Sequence, residues 1–330
     1  MLTFLSEICR VVYMEELSPE QPQQNTVAPV AAKQTNISYS QYSMWLKCPM
    51  SWKLSYIDKL KPREESIHFA FGTSIHIAVQ AFLEALYTKG ALAADSIDCM
   101  DLFNKSYNEL VKKIPDITVE VIEEFRLDGK AILDYFTLPR YRNKHFPTNK
   151  YEFIGIELPL TIPLRNGKVS YVGFLDLVLK DKETGNICIF DFKSSTTGWI
   201  VKYIERTKLD QLVLYKRFYS MVHKVPLDKI DVEFIILKRR LLENVGFPPS
   251  RIQRITPNTG KAMMKEVETS FLGFVKNGFL EDGSYNRNGQ FNQYPGKAKK
   301  NCKYCVFKTL VGPDGKKYCS GKETGVAPDI

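Results

Sequence analysis

Residues 171–193 read YVGFLDLVLKDKETGNICIFDFK. Two apolar runs of strand length, YVGFLDLVL and NICIFDF, flank Lys180–Gly185, and Thr184-Gly185-Asn186 supplies a turn between them. Each run carries a carboxylate where a buried strand should be apolar. Asp176 sits among Phe174, Leu175, Leu177 and Val178, and Asp191 follows Ile187, Cys188, Ile189 and Phe190. An uncompensated carboxylate in such surroundings costs roughly several kcal/mol, so a partner, water or a cation must offset it.

Strand alternation puts Asp191 and Lys193 on one face, with Ile187 and Ile189 deeper on that face. If the two runs pair as a hairpin, Asp176 lies beside Asp191. Two carboxylates and an ammonium then converge at one end of a small sheet. Hard oxygen donors of this kind suit Mg²⁺ or Mn²⁺. Such an ion polarises a phosphoryl oxygen and lowers the pKa of water. Lys193 is then placed to position that water or to stabilise charge developing on a phosphate. An isolated DxK is short and common, and it serves equally as a structural ion pair, so its surroundings decide.

Upstream, YEFIGIELPLTI (151–162) reads as another strand. Its Glu157 is either a further acid of the site or a solvent-facing residue, and Pro159 points to an edge strand. Downstream come a helix around Leu209–Val222, a strand at Val232–Leu237, and a helix over about Gly260–Asn277 with Met263, Val267, Phe271 and Phe274 at helical spacing. Toward the N-terminus, residues 100–137 look helical. After Gly72, the segment TSIHIAVQAFLEALYTKG repeats apolar residues at Ile75, Ala78, Val79, Phe82 and Leu86 until Gly90 ends it. Ser38 or Ser40 can cap a helix through Tyr42, Trp45 and Leu46, which Pro49 interrupts.

Residues 17–36 are rich in Pro, Gln, Ala and Asn without periodicity, the composition of a flexible tail. The expected organisation is therefore a disordered tail at 1–36 and one α/β domain at 37–330. That domain has a helical N-terminal portion (37–150), a catalytic sheet with its following helix (151–240), and a C-terminal helix with a Cys-containing appendage (241–330).

With 44% hydrophobic residues over 330 positions, the chain can build a sizeable core. A net charge of +9 favours polyanionic partners, nucleic acid first. No run approaches the ~18 consecutive apolar residues of a membrane helix, and the first residues lack a convincing secretory signal, so a cytoplasmic protein without a membrane partner is expected. In that compartment close cysteine spacing points to metal or redox work rather than disulfides. The C-terminal run Cys302-Lys-Tyr-Cys305, then Cys319, is such a spacing. Cys188 reads as a core residue on the face opposite Asp191, and Cys9 and Cys99 as unligated.

Together these residues resemble the PD-(D/E)XK nuclease superfamily, and within it the RecB-like exonucleases, including CRISPR-associated and phage types. Five stretches carry the resemblance in order: Ser38–Pro49 (SYSQYSMWLKCP), Gly72–His76 (GTSIH), Gly173–Asp176 (GFLD), Asp191–Lys193 (DFK) and Gln211–Tyr215 (QLVLY). It spans about residues 37–320 and implies a restriction-endonuclease-like core, a mixed central sheet flanked by helices. It further implies metal ligation by His76, Asp176, Asp191 and the Phe192 carbonyl, catalysis by Asp176, Asp191 and Lys193, and a supporting role for Gln211 and Tyr215, which share a helix face.

The resemblance also implies a [4Fe–4S] cluster on Cys48, Cys302, Cys305 and Cys319, zinc being the less favoured occupant. The fourteen-position step from Cys305 to Cys319 departs from the tighter family spacing. The implied activity is an Mg²⁺- or Mn²⁺-dependent deoxyribonuclease, an exonuclease of DNA repair, recombination or phage DNA metabolism. A separate helicase or recombination protein is a possible partner. Lys202, Arg206, Lys208, Lys216 and Arg217 are candidates for tracking the DNA backbone. The alternative is a non-catalytic DNA-binding or assembly factor stabilised by its cysteine-bound cluster.

Overall fold

The turn chemistry at Lys180–Gly185 closes a hairpin. Backbone N–H groups of Glu183 and Thr184 donate to Asp181 Oδ1 at 2.9 and 3.0 Å, and Gly185 takes the positive φ of 71°. The computed structural model that shows this describes residues 35–60, 66–241, 250–294, 296–303, 305–308, 310–312 and 315–322. Most of the expected tail, with Cys9, lies outside the described residues.

In chain order the elements are β1 (Thr35–Ile37), α1 (Tyr39–Lys47), α2 (Pro49–Trp52), α3 (Ile67–Thr88), α4 (Ala91–Asp95), α5 (Cys99–Val111), α6 (Val119–Thr137) and α7 (Pro139–His145). Then follow β2 (Tyr151–Leu164), β3 (Val169–Asp181), β4 (Ile187–Ser195), α8 (Arg206–His223), β5 (Ile230–Lys238), β6 (Ile252–Ile255) and α9 (Lys261–Gly278). Thr35 and Asn36 already belong to a strand, where composition placed the last residues of the tail. Strand β6 lies in the stretch read as C-terminal helix and cysteine cluster. Four residues with a single outward pair, Gln253 and Arg254, are too short a run to register as a strand in sequence.

The chain divides into two compact units. One gathers the described residues of Met1–Lys61, Leu160–Gly173 and Lys265–Ile330, and the other those of Pro62–Pro159 and Phe174–Met264. In the second, β3 runs antiparallel to β4, β4 parallel to β5, and β5 antiparallel to β6. The parallel step needs a crossover, which α8 supplies while packing on β4 and β5. The other face, carrying Leu177, Leu179, Phe190, Phe192, Ile235 and Leu237, packs into one core with α3, α5 and α6. This is a mixed sheet flanked by helices, a restriction-endonuclease-like α/β core.

Helix α3 is long and apolar enough to cross a membrane by length and composition, although no unbroken apolar run exists in the sequence. Of its apolar window 61% is buried in the fold, where Ile75, Ala78, Val79, Phe82 and Leu83 join the core.

In the first unit, β1 runs parallel to the start of β3, pairing Thr35 with Val169 and Ile37 with Tyr171. The Trp52 ring is enclosed by Trp45, Phe274, Phe279, Tyr285 and Phe291 at centroid distances of 5.3 to 6.0 Å. Ser38 occupies the N-cap of α1 with extended backbone and no side-chain cap bond. Cys48 breaks the helix at φ −168°, and Pro49 opens the next.

At the end of α7, His145 is buried and its Nε2 atom has no hydrogen-bond partner. Burial, helped by the charges of Arg254 and Lys144, pushes its pKa down to about 4. Burial also lowers His68, His76 and His223. The unfolded chain protonates these rings near the ordinary value of about 6.5, and the folded chain only at lower pH, so stability is complete above that value and falls as pH drops. Urea unfolding should show a lower free energy at about pH 5 than at about pH 7.5, and His145→Gln should shrink that difference. An unchanged pH dependence in the variant would contradict this origin.

Candidate active site

The last β3–β4 pairs are Leu179 with Cys188, Val178 with Ile189 and Leu177 with Phe190. One step farther, the same register brings Asp176 opposite Asp191. The ladder ends there and a side chain replaces it: the Phe192 N–H donates to Asp176 Oδ2 at 2.7 Å. Cross-strand neighbours on one face are about 4.5–5.5 Å apart at Cβ, so two like charges face each other inside the fold. Burial, then the Asp191 charge, raise the Asp176 carboxyl well above the usual carboxylate range. Lys193 and the Phe192 N–H oppose this only in part.

Lys193 answers Asp191. Its Nζ lies 2.6 Å from Asp191 Oδ2, while the Asp191 side chain is only 2% exposed. Burial works against the ammonium, but Asp191 and then Asp176 outweigh it and hold the lysine pKa above its ordinary value. The Lys193 ammonium is thus the partner of Asp191 Oδ2 inside the fold.

Two helices bring further groups. From α3, His76 Nδ1 stands 3.7 Å from Asp176 Oδ2. Burial and the nearby Lys193 charge lower the His76 pKa, so the imidazole is neutral at pH 7 and able to offer a lone pair. From α8, Gln211 Nε2 donates to the Tyr215 hydroxyl at 3.0 Å. Burial and the charge of Asp191 raise the Tyr215 pKa, so its hydroxyl keeps its proton and lies within electrostatic reach of the acids. The Phe192 ring is fully buried in the core, so only its main chain reaches the site.

The donor chemistry fits a hard divalent cation: two carboxylates, a neutral imidazole and a main-chain carbonyl. Among the described residues, no three or more His, Cys, Asp or Glu side chains are already arranged to hold an ion. Instead the acids are turned onto the Phe192 N–H and the Lys193 ammonium.

Sequence reading missed Gln80, one helical turn beyond His76 on α3. Its Nε2 donates to Glu157 Oε1 at 2.6 Å and to the Asp176 carbonyl at 3.3 Å. The i, i+4 spacing from His76 was the available signal. Several basic candidates have internal partners. Arg206 Nε is 3.6 Å from Asp210 Oδ1, Lys216 Nζ donates to Thr259 Oγ1 at 3.2 Å, and Lys208 Nζ lies 5.3 Å over the Trp199 ring.

In the other unit, Cys48, Cys302, Cys305 and Cys319 line one cavity of about 540 Å³. Burial raises the Cys302 thiol, and the other three sulfurs add to the effect. Burial likewise raises Cys319, with Cys48 and Cys305 adding to it. The Tyr294 N–H donates to Cys48 Sγ at 3.3 Å. These thiols also fall outside a ready-made coordination arrangement. Cys188 and Cys99 are buried and unpaired, away from this cavity.

A model of the PD-(D/E)XK nuclease superfamily matches residues 36–310. Comparison with curated proteins gives no match. Among solved structures, a protein from Eubacterium rectale named "Putative exonuclease" is similar at 13% identity and TM-score 0.44, covering 72% of this chain and 79% of its own. The protein SSO0001 is similar at 11% identity and TM-score 0.35, covering 86% and 88%.

The facing carboxylates make a test that needs no substrate. Asp176→Asn keeps an acceptor for the Phe192 N–H and removes the like-charge contact. The metal-free variant should unfold at higher temperature than the parent, by on the order of 1 kcal/mol in stability. A lower melting temperature would show that the charge at Asp176 stabilises the apo fold.

Proposed function

Since the chain belongs to the PD-(D/E)XK nuclease superfamily, we propose that it is a metal-dependent deoxyribonuclease acting through Asp176, Asp191 and Lys193. The observation that carries this reading is the buried cross-strand acid pair with the Lys193 ammonium 2.6 Å from Asp191. Asp176, Asp191, His76 and the Phe192 carbonyl would hold Mg²⁺ or Mn²⁺. When bound, such an ion supplies Lewis-acid polarisation of the phosphodiester and acidifies the attacking water.

The protein's own groups do the rest. Lys193 stabilises negative charge growing on the phosphate in a site where burial strengthens each interaction. The Phe192 N–H fixes the Asp176 carboxylate, and the paired Gln211 and Tyr215 hold the α8 side of the site with donors of fixed direction. The net charge of +9 favours a polyanion such as DNA. Exonucleolytic action, and a role in repair, recombination or phage DNA metabolism beside a separate helicase, rest on the ordered motifs that resemble RecB-like exonucleases. Unpaired thiols at all six described cysteines are consistent with a reducing cytoplasm.

With Mg²⁺ or Mn²⁺ present, Asp191→Ala and Lys193→Ala should each lower cleavage of end-labelled DNA by about a hundredfold or more. Release of labelled mononucleotides from linear DNA, with a circular control left intact, supports exonuclease action. Parental activity in both variants would defeat the assignment.

The four cavity-lining cysteines we assign to a [4Fe–4S] cluster, with zinc as the second choice. Thiolate donors and the shared cavity support this. Anaerobically purified protein should absorb near ~400 nm, and Cys48→Ser or Cys305→Ser should abolish the band. A colourless protein with one zinc per chain points to the second occupant, and a protein with neither metal removes the assignment.

A further inference from the structure

Lys238, Arg239, Arg240 and Arg251 gather where β5 leaves the sheet. Two of them have carboxylates: Arg239 Nη1 donates to Asp128 Oδ2 at 3.0 Å, and Arg240 pairs with Glu124. Lys238 and Arg251 face no carboxylate among the described residues, and each is half-buried. They are also neighbours. The Lys238 N–H donates to the Arg251 carbonyl at 2.8 Å, which continues the register that pairs Leu237 with Ile252. The two cations therefore stand opposite each other, an arrangement that destabilises a sheet. Burial, and then the Arg251 charge, lower the Lys238 pKa.

Both side chains are held in place. The Arg251 guanidinium donates to the Lys238 carbonyl at 3.1 Å and to that of Arg239. The Lys238 stem packs against Gly198, where a Cβ would come within 3.0 Å of Lys238 Cδ and where φ is 102°. Their position in the sheet ties them to the acid site. Strand β5 sets Ile236 beside Lys193 and Lys238 beside Ser195. Phe192, Ile235 and Leu237 belong to the helical core, so alternation puts Lys238 on the face of Asp191 and Lys193. Two residues along and one strand across is a step of about 8 Å between backbone positions. Successive phosphates of a nucleic-acid strand are separated by a step of the same order.

We propose that Lys238, held beside Arg251, binds a second phosphate of the DNA, next to the one being cleaved. This rests on the nuclease reading of Asp176, Asp191 and Lys193 and gives that site a substrate requirement: two neighbouring phosphates rather than an isolated diester. An ammonium without a carboxylate partner is a compact point charge suited to a phosphate oxygen. The arriving phosphate relieves the repulsion between the two cations, so an interaction that costs stability in the free protein favours the bound state. Its source is either an internal phosphodiester or a phosphate at the end of the strand.

The test compares the full-length parent with Lys238→Gln and Lys238→Arg on single-stranded oligonucleotides with Mn²⁺, with and without terminal phosphates. Lys238→Gln should raise KM about fivefold or more and leave kcat within roughly twofold, while Lys238→Arg stays near the parent. Anisotropy of a labelled strand in EDTA, over a series of KCl concentrations, should show the slope of log affinity against log salt shrink by about 0.7 in Lys238→Gln. The same variant without DNA should melt no lower than the parent, because it loses the like-charge contact. A defect equal on all oligonucleotides assigns the site to an internal phosphate, and a defect confined to phosphorylated ends assigns it to a terminal one. Parental KM and salt slope in Lys238→Gln, with Asp191→Ala inactive, would overturn this proposal and leave the nuclease reading standing. A lower melting temperature with kcat and KM both impaired would mark a structural role and overturn it as well. A parent that neither binds nor cleaves DNA removes the nuclease reading and this proposal with it.

Discussion

Placing two carboxylates opposite each other inside a folded protein is the constraint around which this chain is arranged. Asp176 and Asp191 meet at the step where the β3–β4 ladder stops, and no neighbouring backbone pair separates them. The repulsion is offset in two ways and otherwise persists. The Phe192 N–H bonds to Asp176, the Lys193 ammonium approaches Asp191, and part of the cost persists as a raised Asp176 pKa. A site that stays electrostatically strained without an ion has a strong reason to take one up.

The rest of the second unit keeps these groups where they are. Strand β4 is buried on both faces, with Phe190 and Phe192 in the helical core and Ile189 on the side of α8. Close packing of this kind transmits little freedom to the strand end, so Asp191 and Lys193 inherit its rigidity. Helix α3 contributes His76 from a segment whose other face is core, and α8 contributes Gln211 and Tyr215 in the same manner. Regular elements, rather than loops, therefore carry the site.

The cysteine cavity follows a different logic. Its thiols come from a helix break at Cys48 and from segments more than two hundred residues later, joined within one unit. The extended Cys48 backbone ahead of Pro49 turns the sulfur toward the Tyr294 N–H. Four soft donors around one space are chemically unlike the hard oxygen set of the acid site.

Local chemistry made much of this legible in the sequence. The Asp181 turn, the alternation in 171–193 and the shared face of Asp191 and Lys193 follow from periods of two and from turn residues, which neighbours a few positions apart dictate. The long helices followed from apolar spacing and caps, and an α/β domain followed from the order of the runs, while the mixed sheet flanked by helices was implied by the resemblance to the PD-(D/E)XK superfamily. The tertiary structure alone decided what depends on distant segments meeting. Gln80 was an ordinary polar helix residue until β2 and β3 came beside it. Glu157 stood undecided between site and solvent because its direction is set by a positive φ that no residue type announces. Strand β6 exists because β5 offers an edge to pair with, and the N-terminal segment joins a unit with the C-terminal one. Asp176, Asp191 and Lys193 were readable because they lie on one hairpin. Gln80 beside them was not, because pairing between remote segments depends on the whole core and leaves little trace in any short stretch of chain.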